Sequence, residues 1–454
     1  MSKFVLTNPL SVKVDEGFIS ESNLSIFSGF TFGKISTVFE KGEKNTLTIG
    51  NANAPLLEPD KEFALSVDGG GCAVVGKDYG GLCRGVFALL SLIQFSGDEL
   101  FIQETVYSSQ YTVKNRMVHL CIFPETTLYF LQRTIRLCGT LGYTHVILEF
   151  WGTLQYDCEE ALSWKNYRFT KQQIKPIIDE IRALGMEPIP MFNHLGHATG
   201  CRLSGGKHVV LDQKPELYNL FTPDGWAWDV ENEDALSLLK KVREELYDLF
   251  GGSKFFHLGL DEAYIYAHSK ALRDKIPAFL ERITKEVESE GARPMLWMDM
   301  FLPDESGTTE CCKCTPEECE QTLSALAPSS VLVDWQYGLK EAPIKSSTYL
   351  IGKGFDIMGA PWYDYQNCKA HVTTCFDNNL YGVMLTTWHT LNWHTPSILR
   401  FARLCGAPKA PWSDISGTNE ETSTLLRKVS VSLTPSDIYN DSGWCEKQIN
   451  IDIS

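Results

Sequence analysis

Residues 115–150 read NRMVHLCIFPETTLYFLQRTIRLCGTLGYTHVILEF. Met117–Cys121 and His145–Phe150 are short, continuous apolar runs, and Thr127–Leu141 between them reads as a helix. Strand, loop, helix, strand is one βαβ unit. Runs without polar alternation are what a parallel sheet buried on both faces produces. The same unit recurs downstream. Further candidate strands are Glu187–Met191, Phe255–Gly259, Pro294–Met298, Val331–Trp335, Phe355–Met358 and Gly382–Thr387. Candidate helices include Lys171–Leu184, Ala235–Leu249, Ile276–Ser289 and Cys368–Asn378, with Gly185 placed to stop the first of these. Eight such units over ~290 residues predict an α/β fold, a (β/α)8 TIM barrel, rather than an open sheet.

Upstream the texture differs. Short alternating runs (Phe4–Leu6, Ser36–Phe39, Thr46–Ile49, Phe63–Val67, Ala73–Val75) are punctuated by Gly and Asn and predict a small antiparallel sheet. One buried helix, Leu82–Phe95, and a last strand, Leu100–Val106, complete a small α+β domain ahead of the barrel. Gly69–Gly71 lacks G-K-[ST] and any G-x-G-x-x-G, so it reads as a tight turn, not a phosphate loop. The expected organisation is therefore residues 1–112, the α+β domain; 113–410, the barrel; and 411–454, a C-terminal extension packed on it, with one helix at Glu420–Val429.

With 41 Lys+Arg against 57 Asp+Glu, the formal charge of -16 disfavours nucleic acid and anionic membrane surfaces as partners. No run of 18 apolar residues suggests a transmembrane helix. Lys3, Asn8, Lys13, Asp15 and Glu16 interrupt the N-terminus, so no secretory leader is expected. The 14 Cys then read as reduced thiols of a cytoplasmic protein. Cys311, Cys312, Cys314 and Cys319 crowd one loop without paired C-x-x-C knuckles, which favours a plain loop over zinc. Neither a metal nor a cofactor is expected. Oligomeric state is left open, a homodimer included.

In a TIM barrel the chemistry sits at the C-terminal ends of the strands. Five Trp fall there: Trp151, Trp297, Trp335, Trp362 and Trp388. Flat aromatic faces at one rim suit pyranose rings and exclude water. After the fourth strand stand Asp261 and Glu262. Neighbouring acids cannot easily flank a sugar as two opposed carboxylates. They can serve where the substrate's own 2-acetamido oxygen attacks: Glu262 then protonates the leaving oxygen, and Asp261 holds the amide N–H. His197 either orients its neighbours or meets the substrate. Arg116 either binds substrate, which is favoured, or makes a structural ion pair. Asp299 either holds a sugar hydroxyl or orients the loop of Trp297. His257, within a strand, reads as a buried, satisfied residue.

These residues carry a resemblance to glycoside hydrolase family 20, the β-N-acetylhexosaminidases. His257-Leu-Gly259-Leu-Asp261-Glu262 matches the signature H-x-G-x-D-E, and EPIPMFNHLGHATG is similar to the family's third-strand element, with Gly196-His197 as its G-H. NRMVHL, PMLWMDMF, VLVDWQYG, GAPWYDY and the N-terminal VDGGGCAVVGKDYGGLCRGVFALLSLIQ extend the likeness over roughly residues 1–410. The resemblance implies that Arg116 grips sugar hydroxyls. It further implies that Tyr363 donates to the acetamido oxygen, and that Trp297, Trp335 and Trp388 box the N-acetyl group. Departures occur at Trp388-His389-Thr390 and at Phe150-Trp151-Gly152, where many members carry acids. The implied activity is exo-acting removal of terminal β-linked GlcNAc or GalNAc by retaining, substrate-assisted catalysis through an oxazolinium. The partner is then a substrate ending in N-acetylhexosamine. Competing readings are a family-20 scaffold of drifted specificity, for a sulfated or non-acetylated glycoside, and an inactive sugar-binding protein.

Overall fold

Residues 3–108 form nine strands and two long helices. The strands are β1 (Lys3–Val5), β2 (Leu10–Val14), β3 (Thr37–Lys41), β4 (Thr46–Gly50), β5 (Phe63–Asp68), β6 (Gly71–Gly76), β7 (Gln94–Ser96), β8 (Glu99–Gln103) and β9 (Thr105–Ser108). They make a six-stranded sheet, β3-β2-β4-β6-β5-β9, and a three-stranded one, β1-β8-β7. This corrects the expected small antiparallel sheet. Helix α1 (Glu21–Phe30), capped by Ser20 Oγ accepting from the Asn23 N–H, carries the chain from β2 to β3, and that crossover makes their pairing parallel. Helix α2 (Tyr79–Ser91) begins three residues before the expected start, because Asp78 accepts from the Gly81 N–H and caps it there; Phe95 then lies in β7. The run Leu100–Val106 is two strands in different sheets, broken at Glu104.

All eight apolar runs of the second region form strands: β10 (Asn115–Ile122), β11 (His145–Phe150), β12 (Glu187–Met191), β13 (Phe255–His257), β14 (Arg293–Trp297), β15 (Val331–Trp335), β16 (Asp356–Ala360) and β17 (Gly382–Thr386). They close in chain order into a parallel barrel, β10 pairing with both β11 and β17. Helices α3 (Leu128–Thr140) and α4 (Lys171–Ala183) are the first two of its outer ring. Thr127 and Thr170 cap them, Thr170 within a capping box with Gln173. The barrel is filled by Met117, Ile147, Ile189, Met295, Val333 and Met384, with Trp297 at the top of the stack. The fold is thus a TIM barrel behind a small β-rich domain.

The computed structural model describes residues 2–198, 209–310, 312–388, 391, 393, 395–410 and 418–430. Of the 411–454 extension it describes a helix at Thr418–Lys428 and two residues beyond, Val429 accepting from Arg136 of α3. Among the described residues no helix is long and apolar enough to cross a membrane.

Candidate active site

Four non-glycine residues adopt positive φ at the C-terminal rim of the barrel: His197 (49°), Leu260 (86°), Glu262 (48°) and Trp388 (44°). Such backbone costs about 1–3 kcal/mol per residue and persists only where surrounding contacts enforce it. Two glycines make the enforcement visible. A Cβ on Gly196 would lie 2.0 Å from the Asp261 carbonyl oxygen, and one on Gly259 would lie 1.8 Å from Asn193 Oδ1. The loops after β12 and β13 therefore touch backbone to backbone, and Asp261 and Glu262 emerge at that contact.

His197 stands between the two acids. Its Nε2 lies 3.0 Å from Glu262 Oε2 and 3.6 Å from Asp261 Oδ2. Asp261 is buried, and its Oδ1 has no hydrogen-bond partner among the described residues. Burial holds the Asp261 carboxyl well above the usual range; Asp299, Glu149 and Glu262 add to the effect and His197 opposes it. Burial acts the same way on Glu262, but the hydrogen bond and charge of His197, with a hydrogen bond from Tyr264, outweigh it and leave Glu262 below its ordinary value. His197 itself is raised: burial disfavours its charge, and Asp261, Glu262 and Glu149 more than compensate. The free site therefore favours a proton on Asp261 and an ionised Glu262.

Aromatic rings wall this corner. Trp297 is fully buried, with His257 at 4.5 Å and Trp388 at 5.7 Å between ring centroids, and the Trp151 ring lies tilted against His197 at 5.4 Å. Trp388 donates its Nε1–H to the Tyr337 hydroxyl at 2.6 Å, and the Tyr337 ring lies between Trp335 (4.9 Å) and Trp362 (5.4 Å). The five rim tryptophans thus form one connected wall. Tyr363 is half-exposed after β16, edge-on to Trp362 at 4.6 Å.

Two expected substrate contacts are corrected. Arg116 lies at the start of β10, on the opposite rim. Its guanidinium makes paired bonds of 2.8 Å to both oxygens of Glu62, donates to the Gly142 and Val113 carbonyls and stacks on Tyr111 at 3.6 Å. All its donors face protein, because a side chain at a strand's N-terminal end cannot reach the C-terminal rim. Asp299 is buried with both oxygens engaged: Oδ2 accepts from the Glu262 N–H at 3.0 Å and Oδ1 from Trp335 Nε1 at 3.1 Å. It positions the acid and the wall rather than a sugar hydroxyl, and burial, partly offset by the Glu262 N–H, pushes its carboxyl up to about 7.

Two other residues of the site had no role expected of them, Trp226 and the strand-end Glu149. Trp226 donates its Nε1–H to the Glu262 carbonyl at 2.8 Å and packs on His197 at 4.8 Å. It comes from the long segment between β12 and the helix Glu233–Phe250, where the pair of Trp in GWAWD was the available signal. Glu149 is buried at the end of β11, accepting from Asn193 Nδ2 at 2.8 Å and bonded to His119 Nε2 at 2.7 Å. His119, Cys121 and Glu149 bring potential metal-ligand atoms within 4.8 Å of one another, but the His119–Glu149 bond already uses two of the three groups on each other. Of the Cys311–Cys319 loop, Cys311 lies outside the described residues, as do His389 and Thr390.

The family model described as glycosyl hydrolase family 20, catalytic domain, matches residues 148–397. Hexosaminidase D of Bos taurus is 22% identical over 204 residues, 41% of this chain and 56% of that protein. The match thus spans about half the length of that curated relative. Among solved structures, the chitobiase of Flavobacterium johnsoniae aligns with a TM-score of 0.66 at 13% identity, over 95% of this chain and 71% of that one. The β-N-acetylhexosaminidase of Streptomyces coelicolor aligns with a TM-score of 0.64 at 14% identity, over 95% and 92%. At such identities the likeness is one of fold.

Proposed function

Because the chain belongs to glycoside hydrolase family 20, we propose that it is an exo-acting glycosidase that removes a terminal β-linked N-acetylhexosamine, GlcNAc or GalNAc, with retention. The attacking nucleophile on this reading is the substrate's acetamido oxygen, and the intermediate is an oxazolinium. Residues 113–410 are then the catalytic unit, 1–112 the domain behind it and 411–454 an extension. The observation that carries the reading is the side-by-side placement of Asp261 and Glu262 around His197, with Asp261 Oδ1 buried and lacking an acceptor's usual partner. An amide N–H is the donor that oxygen requires. Trp297, Trp335 and Trp388 supply the apolar wall for the acetyl methyl, and Tyr363 the hydroxyl for the acetamido oxygen.

The free site holds its proton on the wrong acid for this chemistry, and His197 corrects that. When the acetamido N–H docks on Asp261, its ionised form gains a donor. A charged His197 passes its Nε2 proton to Glu262, and the emptied Nε2 takes the proton of Asp261. The net change is one proton moved from Asp261 to Glu262, which leaves Glu262 the general acid and Asp261 the anion facing a cationic intermediate.

A panel of chromogenic β-GlcNAc, β-GalNAc, sulfated and non-acetylated glycosides tests the proposal. Turnover confined to the N-acetyl substrates, with competitive inhibition by a thiazoline mimic of the oxazolinium, supports it. Glu262→Gln is expected to lower kcat by roughly 10²–10⁴-fold on poor leaving groups and much less on dinitrophenyl glycosides. Labelling of any barrel carboxylate by a 2-fluoro glycoside would overturn the substrate-assisted route.

A further inference from the structure

A second cleft, about 840 Å³, opens on the side of the molecule opposite the catalytic rim. Its walls come from three places. The small domain contributes residues 60–62 and 77–80, the connecting segment contributes residues 109 and 111–115, and the barrel contributes the N-terminal ends of its early strands, at Thr144, His145, Glu187 and Lys254. In a barrel enzyme this face ordinarily serves stability alone.

Its charge runs against that of the chain. Around it stand six cations (Lys61, Lys77, Arg84, Lys114, Arg182 and Lys254) and four carboxylates, in a chain with 57 acids to 41 bases. Most of the carboxylates are already engaged. Glu62 is bound by Arg84 and Arg116, Asp60 by Lys61, and Asp78 caps α2. Glu187 accepts from the Lys254 backbone N–H at 3.1 Å. Lys77, Lys114 and Lys254 form no ion pair among the described residues, and Lys77 makes only a 3.4 Å bond to the Pro59 carbonyl. One of these three ammonium groups comes from each wall, and all three residues are exposed at the rim. His145 in the wall is held down at about 3, first by burial and then by Arg84, Lys254 and Arg116.

We propose that this cleft is a binding site for a small molecule carrying a phosphate or sulfate group. Three ammonium groups without ion pairs among the described residues, one from each wall of a single cleft, suit a multiply charged oxyanion. The volume accommodates a ligand of nucleotide or disaccharide size. A ligand bridging Lys77 and Lys254 would tie the small domain to the barrel, so its binding free energy would add to the stability of the docked pair.

Calorimetric titration of the full chain with inorganic pyrophosphate and with inorganic sulfate, against acetate at matched ionic strength, tests the site. Saturable binding of one pyrophosphate or sulfate per chain, with a raised Tm, is expected, and the stronger of the two identifies the oxyanion. The triple variant Lys77→Ala/Lys114→Ala/Lys254→Ala is expected to bind about tenfold or more weakly while turning over chromogenic glycosides as before. No saturable binding, equal binding by the triple variant, or displacement of the anion by a thiazoline at the catalytic rim would each overturn the proposal. Because binding is read directly, the test does not depend on which glycoside the rim cleaves.

Discussion

His197 is the residue on which the protonation of the site turns. Its Nε2 touches one acid at 3.0 Å and approaches the other at 3.6 Å. A positive charge there lowers both carboxyls. Replacing it by Asn removes that charge and leaves burial and mutual repulsion, so both carboxyls rise. The reaction needs Asp261 ionised and Glu262 protonated, and because the free site holds Asp261 above Glu262, the acid limb of the kcat/KM profile breaks at the lower carboxyl, Glu262, and the basic limb at the higher, Asp261. Both limbs of the His197→Asn profile are therefore expected at higher pH, by roughly one unit or more, with a lower maximum. Limbs that stay in place while the maximum falls would mean that His197 acts only by shape.

At the scale of elements, the site depends on how closely the loops after β12 and β13 approach. Gly196 has no room for a methyl group, since the obstacle is the Asp261 backbone rather than a flexible side chain. Gly196→Ala is expected to separate the loops, shift Asp261 and Glu262 together, and reduce kcat by about 10²-fold or more, because misplacement by ~1 Å is enough for that. The measurement pairs kcat with thermal melting. A variant that melts near the parent temperature yet has lost activity locates the effect in the loop contact. Unchanged kcat would show that the rim tolerates the separation.

For the molecule as a whole, Arg116 links the two regions. Its bonds to Glu62 join β10 to the segment before β5. Arg116→Met would leave Glu62, which Arg84 alone would then balance, in a largely buried place. Removing one partner of a buried pair costs about 3–5 kcal/mol. The expected result is a lower urea midpoint with kcat/KM per folded molecule unchanged. A large rise in KM at full stability would restore Arg116 to the substrate site.

The sequence alone determined the barrel and its central acids. Parallel strands covered on both faces must be apolar throughout, and that requirement is written locally, in eight runs of five or so residues each. Asp261 and Glu262 are adjacent in the chain, so their partnership needed no folding to be seen. Tertiary structure decided the remainder. Asp299 is a positioning residue because its partners, Glu262 and Trp335, stand 37 and 36 positions away and meet it only when β13, β14 and β15 lie side by side. Trp226 reaches Glu262 from a long connecting segment with no periodicity of its own. Arg116 stands at the start of β10, and its partner Glu62 lies 54 positions away, so that pairing exists only once the small domain packs against the barrel. Apolar period records burial, a property of each segment; hydrogen-bond partnership is a property of two segments, and only their packing creates it.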